Sequence, residues 1–247
     1  MRLALLADVH GNLHALQACL EHARHQGVDR FAWLGDLVGY GADPAAVVEQ
    51  AREHAAQGAV VVLGNHDAAV LGRHAHPMAG SAQAAVDWTR AQLAGPLRDF
   101  LDRLPLTVRE GDVLFVHAGA AEPERWDYVT SAAEATASLQ ATDATYVFSG
   151  HVHEPVLYFL GAGGRAQTFQ PVPGVPVPIP RHRRWLAIAG SVGQPRDGNH
   201  DACYALVDLA RARMTWFRVA YDVVAAAAKV RAVGLPERLA LRLERGV

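Results

Sequence analysis

The sequence predicts a single α/β domain that contains two β-sheets and a helical insertion. Over residues 1–67, short apolar runs alternate with stretches that repeat apolar residues at helical spacing. Residues 68–104 are rich in alanine and carry no strand pattern, whereas strand patterns return from Thr107 onward. Alternating strands and helices are typical of a mostly parallel sheet with its functional loops at the carboxyl ends of the strands. We therefore expect one domain over residues 1–247, with a helical insertion at about 68–104 that could cover the site.

Three strands and two helices are expected to alternate in the N-terminal half. Leu3–Ala7, Phe31–Leu34 and Ala59–Leu63 are apolar runs with the length of a buried strand. A helix is predicted from Leu13 to His25, because leucine and alanine recur on one face. The next helix is predicted to begin at Asp43-Pro44, which pairs an N-cap residue with proline at the first helical position.

Strand patterns dominate the chain after the insertion. Thr107–Arg109 and Val113–Val116 flank a Glu110-Gly111-Asp112 turn and predict a hairpin. Ser131 and Glu134 have the spacing of a capping box and predict one more helix. Further strands are expected at Tyr146–Ser149, Val156–Leu160, Leu186–Ala189, Tyr204–Asp208 and Met214–Ala220.

Two later segments have a different composition. Pro171–Pro180 is rich in proline and is expected to be an extended surface loop. The tail from Asp222 has a helical pattern that Gly234-Leu235-Pro236 interrupts. We expect two helices there.

The composition argues against several classes of protein. With 51% hydrophobic and 19% charged residues, the chain can build a full core and is not a disordered segment. The net charge of -2 gives no general attraction to nucleic acid or to anionic membranes, and no apolar stretch approaches the roughly 20 residues of a membrane span. Cys19 and Cys203 form no CxxC pair, and the apolar N-terminus is too short for a signal peptide. We expect a cytoplasmic protein with no nucleic-acid or membrane partner.

Five short polar motifs each follow a predicted strand. They are Asp8-Val9-His10, Gly35-Asp36-Leu37-Val38-Gly39-Tyr40-Gly41, Gly64-Asn65-His66-Asp67, His117-Ala118-Gly119 and Gly150-His151-Val152-His153. Any one of them alone could be a turn or a helix cap. A spacing of two residues puts paired side chains on the same side of an extended backbone, and this mixture of oxygen and imidazole donors suits Mn, Fe or Zn. Together, the five motifs predict a metal site.

The set and order of these motifs resemble the calcineurin-like metallophosphoesterase superfamily, whose pattern runs D-x-H, G-D, G-N-H-D/E, H and G-H-x-H. All five elements occur here between residues 8 and 153. Ser191–Gly198 also resembles a segment of the small bacterial and archaeal members, although Ala189 stands where those relatives often have proline. The resemblance implies a four-layer α-β-β-α sandwich with two central mixed β-sheets, and a dinuclear metal centre at the strand ends.

The resemblance also implies which residues bind the two divalent ions. One ion would be held by Asp8, His10, Asp36 and His153. The other would be held by Asp36, Asn65, His117 and His151. The two carboxylate oxygens of Asp36 would allow it to bridge the ions, and His66 would stay off both of them.

Two residues are predicted to act in catalysis and one in substrate binding. His66 would protonate the leaving oxygen, because the pKa of a histidine lies near the working pH. Asp67 would either orient His66 or serve only as a negative charge at a helix N-terminus. Arg196 could grip a substrate phosphate or be a solvated turn residue. His74 and His76 in the insertion could line the pocket or lie on the surface.

The function favoured by these observations is hydrolysis of a small, nucleotide-like phosphate ester. Two metal ions roughly 3.5–4 Å apart would share an activated water, and the resulting hydroxide would attack the phosphorus in line. The alternative is a non-catalytic, metal-dependent nucleotide-binding or scaffold module, which predicts that a ligand or the proton donor is lost, and the sequence has lost neither. An exonuclease would favour a basic groove, and the net charge of -2 argues against one. A P-loop motif is absent from the sequence, so metal ions are expected to bind the phosphate. The substrate, the native metals and the oligomeric state stay open.

Overall fold

The computed structural model describes residues 1–73, 78 and 80–247. The strands within these residues are β1 Arg2–Leu6, β2 Arg30–Trp33, β3 Val60–Val61, β4 Thr107–Glu110, β5 Val113–Val116, β6 Tyr146–Ser149, β7 Val156–Leu160, β8 Ala166–Phe169, β9 Val177–Pro178, β10 Trp185–Ile188, β11 Ala202–Asp208 and β12 Arg213–Val219. The helices within them are α1 Leu13–His25, α2 Pro44–Ala56, α3 Asn65–Leu71, α4 Gly80–Gln92, α5 Pro96–Asp102, α6 Ala132–Gln140, α7 Val223–Ala232 and α8 Glu237–Arg245, with a short 3-10 helix at Pro123–Arg125.

The strands form two mixed sheets of six strands each within the described residues. The first has the order β3-β2-β1-β11-β12-β9, and the second has the order β4-β5-β6-β10-β7-β8. The mostly parallel pairing expected from the strand–helix alternation is confined to β1, β2 and β3 in the first sheet and to β5, β6 and β10 in the second. All remaining pairs are antiparallel, and in pairs such as β4–β5 and β11–β12 a short turn returns the chain directly.

The two sheets pack face to face and are covered by helices on their outer sides. Leu5 of the first sheet and Phe148 of the second lie fully buried in the layer between them. Leu16 of α1 and Val47 of α2 pack on the outer face of the first sheet, and Leu139 of α6 packs on the outer face of the second. Full burial of one such side chain stabilises the fold by roughly 1.5–3 kcal/mol. The predicted α-β-β-α sandwich is confirmed.

The insertion is helical where it is described. α4 and α5 lie in the range 68–104, and α3 begins just before it at Asn65. Val86 and Leu101 are buried in the same core cluster as α1 and α2, so the segment packs beside the first sheet. Whether it acts as a lid stays a prediction, and His74 and His76 lie outside the described residues.

Two strands were not predicted. β8 has three exposed residues out of four and therefore lacks the apolar pattern that identifies a buried strand. β9 lies inside the proline-rich segment that was expected to be a loop, and it pairs with Arg213 and Met214 of β12. Proline is tolerated there because β9 is an edge strand.

The C-terminal tail forms a pair of packed helices, as predicted. Leu239 and Leu243 of α8 are buried in a cluster with Ala227 of α7, Ala85 of α4 and Tyr40. This cluster brings the end of the chain next to the loop after β2. Within the described part of the chain, every helix is too short or too polar to cross a lipid bilayer.

Candidate metal centre

The five polar motifs meet at one edge of the two sheets because each follows the carboxyl end of a strand. The backbone turns sharply there, and several motif residues adopt the left-handed conformation that is unusual for residues other than glycine. These are Asp8, His10, Asp36, His151 and His153, with φ between 50° and 69°. Such strain costs roughly 1–3 kcal/mol per residue and is concentrated at functional sites.

The first cluster consists of Asp8, His10, Asp36 and His153. Their candidate ligand atoms all lie within 4.8 Å of one another, and all four side chains are buried. Nε2 of His10 lies 3.1 Å from Nε2 of His153. Burial lowers the pKa of both imidazoles well below the usual value, so both rings are neutral.

Backbone carbonyls determine which nitrogen of each ring carries the proton. Nδ1 of His10 donates to the carbonyl of Val38 at 3.0 Å, and Nδ1 of His153 donates to that of Gln194 at 2.6 Å. Both Nε2 atoms are therefore left with lone pairs that face each other. Two such lone pairs repel, and a cation between them turns the repulsion into ligation. The donor set fits a divalent metal ion.

The second cluster consists of Asp36, His117 and His151, again within 4.8 Å. Nε2 of His117 lies 3.2 Å from Nδ1 of His151 and 3.0 Å from Oδ1 of Asn65. Its Nδ1 donates to the carbonyl of Leu34 at 2.7 Å, so Nε2 is again the atom that faces the cluster. The donors of this second group also fit a metal ion.

The charges of the second cluster favour a bound cation. Burial lowers the pKa of His117, but Asp36, Asp8 and the carbonyl of Leu34 together raise it, so that the pKa is about 9. A proton on Nε2 therefore occupies the place that a metal ion would take. Burial likewise lowers the pKa of His151, to about 3, which leaves that ring neutral and able to ligate.

Asp36 belongs to both clusters through a single oxygen atom. Its Oδ2 lies 3.6 Å from Nε2 of His10 and 3.4 Å from Nε2 of His117. Its Oδ1 accepts the backbone N–H of His66 at 2.8 Å, which fixes the rotation of the carboxylate. Burial raises the pKa of Asp36, but the nearby imidazoles, His117 first, hold it well below its usual range. Asp36 is thus an anion situated where it can contact two ions.

The pKa of Asp8 is raised, in contrast to that of Asp36, and this also indicates that the site favours positive charge. Both of its oxygens accept the backbone N–H of His151, at 2.9 and 3.1 Å. Burial nevertheless raises the pKa of Asp8 to about 8, and Asp36 raises it as well. Two carboxylates in a dry pocket cannot both be ionised cheaply without cations beside them. The arrangement of Asp8 and Asp36 therefore fits bound metal ions.

His66 lies next to the clusters and belongs to neither of them among the described residues. Its ring packs between Tyr40, at 4.4 Å between ring centroids, and His10, at 4.8 Å. Asp67 follows it at the start of α3 and accepts backbone N–H groups from Val38 at 3.1 Å and Gly64 at 3.0 Å. These bonds favour the helix-terminus role of Asp67, and they tie α3 to the loop after β2. That Asp67 orients His66 stays a prediction.

A cavity of about 500 Å³ opens onto both the centre and the insertion. Asn65, His66 and His151 form part of its floor, and Met78 and Ser81 of the insertion form part of its wall. This volume lies in the range of small-molecule sites, roughly 300–1,000 Å³. The insertion thus borders the space in which a ligand could reach the metal centre.

Arg196 lines the same cavity, as its predicted role in substrate binding requires. It is partly buried, its guanidinium lies 5.8 Å from the centroid of the Tyr40 ring, and it donates to Oε1 of Gln194 at 3.3 Å. Its charge therefore faces the cavity rather than bulk solvent.

Four further residues that line the cavity were not predicted from the sequence. Trp126 and Tyr128 come from the loop after β5, and the ring of Tyr128 stacks on His151 at 4.0 Å between centroids. Arg238 and Arg242 come from α8. Their spacing of four residues on a predicted helix was a usable signal for a shared face, but nothing in the sequence indicated what that face contacts.

Comparison with known proteins shows similarity to phosphoesterases in both sequence and structure. The model of the calcineurin-like phosphoesterase superfamily domain matches residues 1–212. An uncharacterized protein of Methanocaldococcus jannaschii is 32% identical over 251 residues, which covers 98% of this chain and 96% of that protein. A symmetrical bis(5'-nucleosyl)-tetraphosphatase of Erwinia tasmaniensis is 32% identical over 133 residues, or 52% of this chain and 47% of that one. The crystal structure of a metallophosphoesterase from Sphaerobacter thermophilus superposes with a TM-score of 0.90 at 35% identity, covering 100% of this chain and 99% of that one.

Proposed function

This chain belongs to the calcineurin-like phosphoesterase superfamily and is a metal-dependent phosphoesterase; we propose that it hydrolyses a small, nucleotide-like phosphate ester at a two-metal centre. The observation that carries the proposal is the position of Asp36 Oδ2 between two buried donor clusters. One carboxylate oxygen shared by two groups of imidazole donors suits a pair of cations better than a single one.

The proposed ligands are the seven side chains predicted from the motifs. Asp8, His10, Asp36 and His153 would hold one ion, and Asp36, Asn65, His117 and His151 would hold the other. When bound, two such ions lower the pKa of a water molecule and neutralise charge on the phosphoryl oxygens. Nitrogen and oxygen donors without thiolate suit Mn, Fe or Zn.

The chain's own groups would orient the centre and handle the leaving group. The carbonyls of Leu34, Val38 and Gln194 hold three imidazoles with Nε2 toward the centre. His66 lies on the cavity floor outside both clusters, where it could give a proton to the leaving oxygen. Arg196 could bind a non-bridging phosphate oxygen through its planar guanidinium.

A nucleotide-like substrate is supported by two independent observations. The cavity has the volume of a small-molecule site, and Trp126 and Tyr128 present aromatic surface on which a base could stack. Half of the chain is also similar to a protein named as a dinucleoside tetraphosphatase. A folded protein substrate is disfavoured because the insertion walls one side of the cavity.

The test is a panel of phosphate esters assayed with Mn²⁺, together with metal analysis of the purified protein. We expect two ions per chain, and we expect nucleotide esters to be hydrolysed with higher kcat/KM than a phosphoprotein. Chelator-treated protein, reconstituted in steps, is the control and should regain activity only as the second ion binds. Full activity with one ion per chain would contradict the two-metal proposal, and preference for the phosphoprotein would contradict the substrate class.

A further inference from the structure

Three arginines that line the cavity form no ion pair with a carboxylate of the described residues. Arg196, Arg238 and Arg242 all line it, and among the described residues none of the three is ion-paired with an acidic side chain. Nε of Arg196 is buried and has no hydrogen-bond partner within the described structure. Arg125 also lines the cavity, but Glu122 at 2.9 Å and Asp127 at 3.2 Å neutralise it.

The positions of Arg238 and Arg242 are determined by the packing of α8. Leu239 and Leu243 on its apolar face are buried, which leaves Arg238 and Arg242, one turn apart, on the adjoining face toward the cavity. The carbonyl of Gly246, just after α8, accepts the backbone N–H of Gly198 at 2.9 Å. Gly198 lies in the same loop as Arg196, so one contact holds both sources of positive charge together.

The guanidinium groups are close enough to interact. Burial lowers the pKa of Arg242, and the charges of Arg196 and Arg238 lower it further. Like charges gathered at a cavity cost free energy unless an anion lies among them. The chain as a whole carries a net charge of -2, so this concentration of positive charge is a local feature of the cavity.

We propose that Arg238 and Arg242 form a subsite for a second phosphate group, so that the favoured substrate carries a phosphate chain rather than one phosphate. The inference rests on the proposed function, in which one phosphate of the substrate lies at the metal centre beside Arg196. The α8 arginines lie in the same cavity as the metal-centre residues Asn65 and His151. Guanidinium groups bind phosphate oxygens through paired hydrogen bonds, which suits a second phosphate.

The experiment compares two ligands that differ by one phosphate. Binding of AMP and of the non-hydrolysable α,β-methylene analogue of ADP is measured by calorimetry on the Mn²⁺-loaded protein. We expect the analogue to bind about 10- to 100-fold more tightly than AMP, as charge-assisted hydrogen bonds to one additional phosphate predict. In the double variant Arg238→Gln/Arg242→Gln, this ratio should fall to near one while the affinity for AMP is unchanged.

Two further variants act as controls. Arg245→Gln, on the same helix but away from the cavity lining, should leave both affinities as in the wild type. Arg238→Gln alone changes an exposed residue, so the variant should fold as the wild type does. It should lower the ratio of the two affinities in part. Equal affinities for the two ligands in the wild type, or equal losses for both in the double variant, would overturn the subsite.

The outcome separates this inference from the function on which it rests. A wild-type protein that hydrolyses no phosphate ester but retains the binding ratio would contradict the proposed function and leave the subsite in place. A protein that hydrolyses nucleotide esters with no preference for the additional phosphate would contradict the subsite and leave the proposed function in place.

Discussion

The metal centre and the arginine-lined wall of the cavity are built in different ways. At the centre, the side chains of Asp8, Asp36 and His117 are at most 1% exposed, and backbone groups fix their orientation. At the wall, Arg238 and Tyr128 are exposed, and Arg238 makes no ion pair with a described carboxylate. The centre is held by the strand ends of both sheets, whereas the wall comes from a loop, the insertion and the C-terminal helix.

The difference indicates which part determines the reaction and which part determines the substrate. Ligation and proton transfer need groups that are oriented before the substrate arrives, and burial with backbone hydrogen bonds supplies that order. Selection among small substrates can use exposed side chains, because charge acts over longer distances than metal ligation does. Changes at the centre should therefore abolish activity, and changes at the wall should redistribute it among substrates.

The largest effect is expected for Asp36→Ala. Asp36 is the residue shared by the two clusters, so its loss removes the negative charge that both ions would contact. We expect both ions to be lost and turnover to fall by roughly 10³-fold or more, beyond the 10²–10³-fold typical of losing one electrostatic stabiliser. Metal analysis and kcat/KM measure this. Asp8→Ala is the matched comparison, because Asp8 belongs to only one cluster, and an Asp36→Ala protein with two ions and normal turnover would refute the bridge.

Gly64→Ala should damage the centre without removing any donor. A Cβ at Gly64 would lie 2.1 Å from the backbone nitrogen of Asp36 and 2.2 Å from its Oδ1, so Asp36 must move. We expect weaker metal binding and a loss of roughly 1–3 kcal/mol in the free energy of unfolding, as overpacking typically costs. Gly163→Ala is the control, since a Cβ there meets nothing within 4 Å. Wild-type metal content and melting temperature in Gly64→Ala would show that the strand-end loops are not rigid.

His66→Gln should separate proton donation from metal binding. Both ions should stay bound, and turnover should fall by roughly 10²–10⁴-fold, the range for a lost general acid. The loss should be largest for an alkoxide leaving group and smaller for p-nitrophenyl esters, whose leaving group departs without a proton. The comparison needs metal analysis and two substrates, with His25→Gln on the exposed end of α1 as control.

Two results would reassign His66. A variant that loses an ion would make His66 a ligand. Equal losses on good and poor leaving groups, with both ions retained, would indicate that it positions the phosphate.

The metal centre could be predicted from the sequence because its donors lie within a few residues of strand ends. Each motif follows an apolar run, and parallel strands bring their carboxyl ends to one edge. The bounds of α1 were predicted correctly from its apolar spacing, and the hairpin of β4 and β5 was predicted from its glycine turn. The roles of the seven donors, of His66 and of Arg196 nevertheless stay predictions until metals and kinetics are measured.

The wall could not be predicted from the sequence, because it depends on packing between distant parts of the chain. The position of Arg242 follows from how α8 docks on α7 and Tyr40, which no local pattern encodes. The bonds from Asp67 to Val38 and Gly64 likewise depend on the approach of α3 to the loop after β2. β9 could be recognised only from its partner β12, since proline normally argues against a strand.

The smallest effect is expected at the insertion, where Ser81→Trp would narrow the cavity. Ser81 of α4 lines the cavity and is partly buried, so an indole there should obstruct a bulky ligand and spare a small one. We expect the ratio of kcat/KM for a dinucleoside polyphosphate to that for p-nitrophenyl phosphate to fall several-fold, by roughly 1 kcal/mol of lost binding, with metal content unchanged. Gln92→Trp, at the exposed far end of the same helix, is the matched control and should leave the ratio as in the wild type. If both substrates keep their wild-type kcat/KM values in Ser81→Trp, the insertion is a structural element and does not act as a lid. If both lose activity equally together with metal, the helix instead supports the centre itself, and the separation between centre and wall does not extend to α4.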